Sequence, residues 1–379
     1  MVTIAVTAEG HDEPRVAISP ETVKKFAALG CTVKIQSGAG LRSRFSDAQL
    51  AAQGATIVPS AAEALSGADI LLAVRRPGND AIAQLKPGAV VAAQADPYGD
   101  RAALDALAAT KASIFAMELI PRITRAQSMD VLSSQANLAG YKAVIDAAAM
   151  FEQALPMMNT AAGTVPAAKA FIMGVGVAGL QAIATARRLG AIVTATDVRP
   201  ATKEQVMSLN AKFVAVEDEE FKQAQTAAGY AKPMSPEYQA KQAELVSNHI
   251  KLQDIVITTA LIPGRPAPKL ITRAMIESMK PGAVIIDLAA ERGGNTELTK
   301  AGEVVDHNGV RISGMLNLAG KLPVNASSLY AKNLYNFIEP MFDKKEKTFN
   351  INWEDDVIKG SLLAKDGLIV HASLAPKAS

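Results

Sequence analysis

Short uncharged stretches rich in valine, isoleucine and alanine recur along this chain, and between them apolar residues return every three or four positions. The first pattern predicts strands buried on both faces, and the second predicts helices lying against them. Strands are predicted at Val2 to Thr7, Cys31 to Gln36, Thr56 to Val58, Ile70 to Val74, Ala89 to Ala93 and Ala112 to Met117. Helices are predicted between them at Asp47 to Gln53, Ala61 to Leu65, Asp80 to Leu85 and Arg101 to Ala109. Ser19-Pro20-Glu21 opens one more helix, with a capping hydroxyl and a proline at the first position, and Gly30 closes it. Strand and helix in alternation mean a doubly wound parallel sheet.

The second half repeats the alternation with one addition. From Lys169 a β-type run turns at Gly174-Val175-Gly176-Val177-Ala178-Gly179, becomes helical until Arg187, Arg188 and Gly190, and resumes as a strand that ends in Asp197. Gly174 permits the sharp turn, Gly176 lets backbone approach a pyrophosphate, and Gly179 lets helix and strand pack closely. The free amides and positive dipole end of the helix would hold the phosphates. Asp197 lies near the spacing of about 20 residues at which an acid accepts the adenosine ribose hydroxyls. A carboxylate there repels a 2′-phosphate and favours NAD over NADP, although Arg199, two residues on, is the kind of residue that accommodates that phosphate. A glycine-rich turn that binds nothing is the plainer alternative.

Beyond Asp197 a helix is predicted at Thr202 to Leu209, a strand at Lys212 to Val216, a helix at Tyr238 to Lys251, and strands at Asp254 to Thr259 and Ala283 to Leu288. The last two strands end in small-residue turns, Ala260-Leu261-Ile262-Pro263-Gly264 and Ala289-Ala290-Glu291-Arg292-Gly293-Gly294. Ligands bind beyond the carboxyl ends of strands in open α/β sheets, which is where these turns lie. Gln223 to Glu237, with Gly229, Tyr230, Pro233 and Pro236, reads as a long loop, either a flap over a ligand or a surface insertion. The tail carries a helix from Ser327 to Phe342 and two β-type runs around Trp353 and Leu368.

Between the two alternating halves lies Arg122 to Tyr141, unusually polar, with Arg122, Arg125, Gln127, Ser128, Asp130, Ser133, Ser134, Gln135 and Asn137. It reads either as a solvated linker or as a cleft loop facing the reactive end of a cofactor. A long helix is predicted after it, from about Leu138 to Gln153.

Composition narrows the classes. A chain of 379 residues exceeds one core and favours two domains. With 39 basic and 37 acidic residues its formal charge is only +2, so no broad field points to nucleic acid. The single cysteine, Cys31, excludes internal disulfides and thiolate metal sites, and no metal is expected. The N-terminus lacks the features of a signal peptide and no run is long and uninterrupted enough for a confident membrane span, so a cytoplasmic location is expected. The fold expected is α/β, two Rossmann-like doubly wound parallel-sheet domains with a cleft between them. The first is 1–121, without a nucleotide fingerprint, and the second, holding NAD(H), is 122–321.

With these residues laid out, the chain resembles the NAD(H)-binding component of proton-translocating nicotinamide nucleotide transhydrogenase and, more distantly, alanine dehydrogenase. The likeness rests on Arg15 to Pro20, Pro121 to Asp130, the glycine fingerprint with Asp197, Gly229-Tyr230-Ala231-Lys232, and Thr258 to Gly264. It implies that Arg122, Gln127, Asp130 and Ser133 surround the nicotinamide and its ribose, and that Gly229, Tyr230 and Ala231 belong to a mobile flap. Cofactor contacts are expected at Gly174 to Gly179 (Val175, Gly176, Val177 and Ala178 included), at Asp197, Val198 and Arg199, and at Thr259, Ala260 and Leu261. It further implies a homodimer, a tail of about 322–379 returning to the first domain, a partner subunit holding NADP(H), and a membrane-spanning subunit that would place the chain peripherally on the cytoplasmic face of an inner membrane.

A chemical argument points to the same branch. Oxidising an alcohol or amine needs an acid or base beside the hydride donor. None of His11, His249, His307 and His371 falls in a strand-end loop near the fingerprint, and the dehydrogenase pattern has histidine where this chain has Gln94 and aspartate where it has Glu291. Hydride passing between two nicotinamides needs only the rings in contact and water kept out. Arg15 and Arg75 match the dehydrogenase positions for substrate carboxylate, and a salt-bridge role is expected for both. Departures from the transhydrogenase pattern are Gly314 to Lys321 and Thr296.

Overall fold

A computed structural model describes residues 1–224, 234–343 and 345–375. The chain divides into two compact units, one of Met1–Gln135 with Ala319–Ser379 and one of Ala136–Leu318.

In the first unit six parallel strands, β1 Thr3–Val6, β2 Thr32–Gln36, β3 Ala55–Val58, β4 Ile70–Arg75, β5 Val90–Gln94 and β6 Ser113–Ala116, lie in the order 3-2-1-4-5-6. Successive residues face opposite sides, as strand geometry demands. Ile4 and Val6 enter one core with Ile70, Leu72 and Val74, while Ala5 and Leu71 enter the other. The helix Pro20–Ala28 starts as the sequence predicts, with Ser19 capping through Thr22.

The tail completes this unit. The helix Pro323–Ile338 buries Tyr330, Leu334 and Phe337 in the first core, and the Tyr330 hydroxyl donates to the Ala73 carbonyl at 3.0 Å. Leu362–Lys365 then runs antiparallel to β6. The strand expected around Trp353 is not formed. Asn352 accepts from the Glu354 amide, and Asp355 accepts from Val357 and Ile358, so these side chains make a turn and cap the helix Asp356–Ser361. Trp353 instead stacks on Phe115 at 6.4 Å.

The second unit carries an exposed hairpin, β7 Met158–Thr160 with β8 Gly163–Val165. Its main sheet holds β9 Lys169–Met173, β10 Ile192–Thr196, β11 Lys212–Phe213, β12 Ile255–Thr258 and β13 Val284–Asp287, extended by the antiparallel pair β14 Val304–His307 and β15 Val310–Ser313. The order is 11-10-9-12-13-15-14. Like the first sheet it reverses direction once, between β9 and β12, which is where doubly wound sheets bind ligands.

Around the polar stretch two boundaries differ from the sequence expectation. Residues 122–135 join the first unit because Ala126, Met129 and Val131 pack into its core. The long helix begins at Val131, not near Leu138, since Asp130 accepts from the Ser133 amide at 2.9 Å and from its hydroxyl at 2.6 Å. A local cap of this kind turns a polar stretch into a first helical turn.

Candidate functional site

The glycine turn stands at the reversal point of the second sheet. Gly174 leaves β9 with φ +100°, and a Cβ on it would meet Thr259 Oγ1 at 2.5 Å. That hydroxyl donates to the Gly174 carbonyl at 3.0 Å, tying the turn after β9 to the turn after β12. Gly176 begins the helix Val177–Arg188 with no side chain capping its amides, and a Cβ there would meet nothing within 4 Å. An uncapped helix start facing open space is what a pyrophosphate requires. Gly179 is forced by packing, because a Cβ on it would fall on the Gly174 carbonyl oxygen.

A glycine outside the fingerprint also shapes this turn. Gly140, inside the long helix, faces Ala178 so closely that any side chain would strike the Ala178 carbonyl. A lone glycine in a helical stretch reads only as a weak helix former, so nothing in sequence marks this role.

Asp197 closes the turn from the other side. Its Oδ2 accepts from the Val175 amide at 2.7 Å, and Arg199 reaches both oxygens. The hydrogen bond to Asp197 and that carboxylate's charge raise the Arg199 pKa against the opposing effect of burial. Val198 between them is exposed.

The loop after β12 is held from below. Buried Asn295 accepts from the Ala260 amide at 3.0 Å and donates to the Ala260 and Pro268 carbonyls, each at 2.9 Å. Asp287, wholly buried at the end of β13, accepts from the amides of Ala289, Asn295 and Thr296 and from the Thr299 hydroxyl. Lys269 Nζ donates to the carbonyls of Gly293, Gly294 and Thr296. Thr259 and Ala260 are thereby fixed while Leu261 remains exposed. Sequence reading finds the loop but not Asn295, whose part depends on a contact 35 positions away.

In the first unit the polar segment is a 3-10 turn, Thr124–Met129, followed by the helix start. The Ser128 carbonyl accepts from Asn333 and Asn336, and the Ser134 hydroxyl donates to Asn333. Arg122 and Gln127 are exposed, whereas Asp130 and Ser133 bond to each other. The expected flap residues Gly229, Tyr230 and Ala231 lie outside the described residues.

Two family models match most of the chain, the alanine dehydrogenase/PNT N-terminal domain over residues 5–139 and the C-terminal domain over 143–372. The chain belongs to the alanine dehydrogenase/PNT family. It is 54% identical over 367 residues to the first part of the NAD(P) transhydrogenase alpha subunit of Rhodospirillum rubrum, covering 96% of each chain. A solved transhydrogenase from Sinorhizobium meliloti is 56% identical with a TM-score of 0.89, covering 97% of this chain and 100% of that one. Alanine dehydrogenase of Mycobacterium tuberculosis is 30% identical over 287 residues, 75% of this chain and 71% of its own. Within the family the stronger likeness is on the transhydrogenase side.

At the positions where the dehydrogenase pattern has acid–base groups, this family member has Gln94 at the end of β5 and Glu291, which accepts from the Asn317 amide. Arg15 is buried, with Nε and Nη2 on the two oxygens of Glu13, both at 2.7 Å, and Nη1 on Gln135 at 2.9 Å. Arg75 also reaches Glu13, at 2.8 Å. Burial alone would raise the Glu13 carboxyl, but Arg15 and Arg75 hold it down at about 2. At the reversal point of the first sheet, between β1 and β4, Glu9 accepts from the amides of Val74 and Arg75. Two of the chain's own carboxylates, Glu9 and Glu13, thus stand just past β1.

Proposed function

We infer that this chain is the NAD(H)-holding component of a proton-translocating transhydrogenase, passing hydride between its own nicotinamide and NADP(H) on a partner subunit. The observation that carries the reading is a complete dinucleotide turn, Gly174 to Gly179 with Asp197, surrounded by strand-end loops that contain no histidine. Each histidine is engaged elsewhere: His249 with Thr194, His307 with Glu277, His371 with Gly360 and Ser373, and His11 with its neighbour Asp12.

In this reading the helix start at Gly176 receives the pyrophosphate, Asp197 orients the ribose, and Thr259 to Leu261 line the nicotinamide side. Arg122, Gln127, Asp130 and Ser133 position the nicotinamide and its ribose. When bound, the nicotinamide supplies or accepts the hydride. The chain's own work is to bind, orient and exclude water, which suits polar residues that hold the ring in place. The flap of Gly229, Tyr230 and Ala231, the homodimer and the membrane-spanning partner that would bring the chain to a membrane are parts of the same proposal. Among the described residues no helix is long and apolar enough to cross a membrane.

Mixing the pure chain with a competent NADP(H)-binding transhydrogenase subunit should give hydride exchange between nicotinamide analogues. No exchange with such a partner, or steady NADH oxidation by the lone chain with pyruvate and ammonia, would reverse the reading.

A further inference from the structure

Asp197, at the ligand edge of the second unit, has its carboxylate saturated with donors from within the chain. Under the proposed function Asp197 accepts the adenosine ribose hydroxyls of NAD(H), and the role assigned to Arg199 rests on that reading. A carboxylate offers about four lone-pair positions. Four donors take them: the Arg199 amide and Nε on Oδ1, each at 2.9 Å, with Arg199 Nη2 at 2.9 Å and the Val175 amide at 2.7 Å on Oδ2. The Asp197 side chain is 6% exposed and that of Arg199 is 32% exposed. A ribose therefore finds no acceptor until a donor leaves.

The two backbone donors belong to the turn itself. Val175 lies between the first two glycines of the fingerprint, and the Arg199 amide closes the bend after β10. The two guanidinium donors sit on a flexible, partly exposed side chain, whose other anchor is the Val175 carbonyl at 3.2 Å. Their departure would empty one position on each carboxylate oxygen. A vicinal diol has one O–H for each.

We propose that Arg199 is a latch on the adenosine-ribose site, its guanidinium holding the place of the ribose diol on Asp197 and being displaced when NAD(H) binds. A 2′-phosphorylated ribose has lost one of those hydroxyls and brings charge that Asp197 repels. It cannot replace the guanidinium on both oxygens. The latch lowers affinity for either nucleotide, but only the diol restores both bonds to the carboxylate.

Fluorescence titrations of the full chain with NADH and with NADPH test this, comparing wild type with Arg199→Met, which keeps an unbranched apolar stem and removes the charge. The NADH dissociation constant should fall about fivefold, the order of one partly exposed ion pair. NADPH binding should tighten by no more than the same factor, since the latch opposes both nucleotides, and the nucleotide-free variant should melt below wild type. Arg199→Lys, which cannot span both oxygens, should also bind NADH more tightly and covers the case in which the methionine variant fails to fold. NADH binding that is unchanged or weaker in both variants overturns the latch. Asp197→Asn separates this from the reading beneath it: weakened NADH binding there leaves the ribose assignment standing, whereas NADH binding as tight as wild type removes the assignment and the latch together.

Discussion

Gly179 stands so close to Gly174 that a Cβ on the third glycine would overlap the carbonyl oxygen of the first. Gly176, between them, has open space on its side-chain direction. The two positions therefore separate folding from binding. Gly179→Ala should destabilise the nucleotide-free chain by about 1 to 3 kcal/mol, as overpacking does, and should weaken NADH as well. Gly176→Ala should melt as wild type does and still lose NADH affinity by tenfold or more, because its methyl would meet the pyrophosphate. Thermal unfolding and NADH titration on both variants give the answer, and full NADH affinity in Gly176→Ala would remove the phosphate assignment.

Asn295 makes a closed pair with Ala260, accepting from its amide and donating to its carbonyl, and so does for the loop what a neighbouring strand would do. Asn295→Ala leaves half-buried backbone groups of Ala260 and Pro268 without this partner, at about 1 kcal/mol for each such group. The variant should lose stability in denaturant and bind NADH more weakly, since Thr259 to Leu261 would no longer be held. Unaltered values of both would show that the loop is fixed by other contacts.

The sheets were readable because both faces of each are buried, so strands such as Ile70–Arg75 and Ile255–Thr258 are nearly unbroken apolar runs. The nucleotide turn was readable because its glycines answer local demands, φ at Gly174 and approach at Gly176. Contacts between remote segments were not. Gly140 against Ala178 and Asn295 against Ala260 exist only once the helices and strands are stacked. The pair Val304–His307 and Val310–Ser313 carries a strong two-residue turn signal in Asn308-Gly309, both at positive φ. Its flanks, with Asp306, His307 and Arg311, are too charged to resemble the buried strands around them. The polar stretch from Arg122 read as linker or cleft loop, and the structure shows Asp130 starting the helix through its bonds to Ser133.

Gln127 is exposed on the 3-10 turn Thr124–Met129, and its side chain can be changed without unpacking Ala126 or Met129 beside it. If it orients the nicotinamide, Gln127→Asn should slow hydride exchange with the partner by tenfold or more and change NADH affinity by less than about threefold, the pattern of a lost positioning contact. Parallel losses in both quantities would make it a general binding residue instead.

Buried Glu13 joins buried Arg15 and the exposed Arg75 in an ion-pair cluster, which holds its carboxyl at about 2 against an ordinary 4.5. A carboxyl depressed on folding adds stability that is fully present above the ordinary value and is lost as pH falls from there toward about 2. Glu9 has the opposite sign, because burial raises it, so its contribution changes above 4.5 and outside that window. Glu13→Gln should therefore cost about 3 to 5 kcal/mol at pH 7, by leaving the Arg15 guanidinium buried without its anion. The difference should narrow between pH 4.5 and pH 2, as wild type loses what the variant never had. Denaturant unfolding of both proteins at pH 7 and pH 3 measures this, and a gap that stays constant across the window would place the stabilising charge elsewhere.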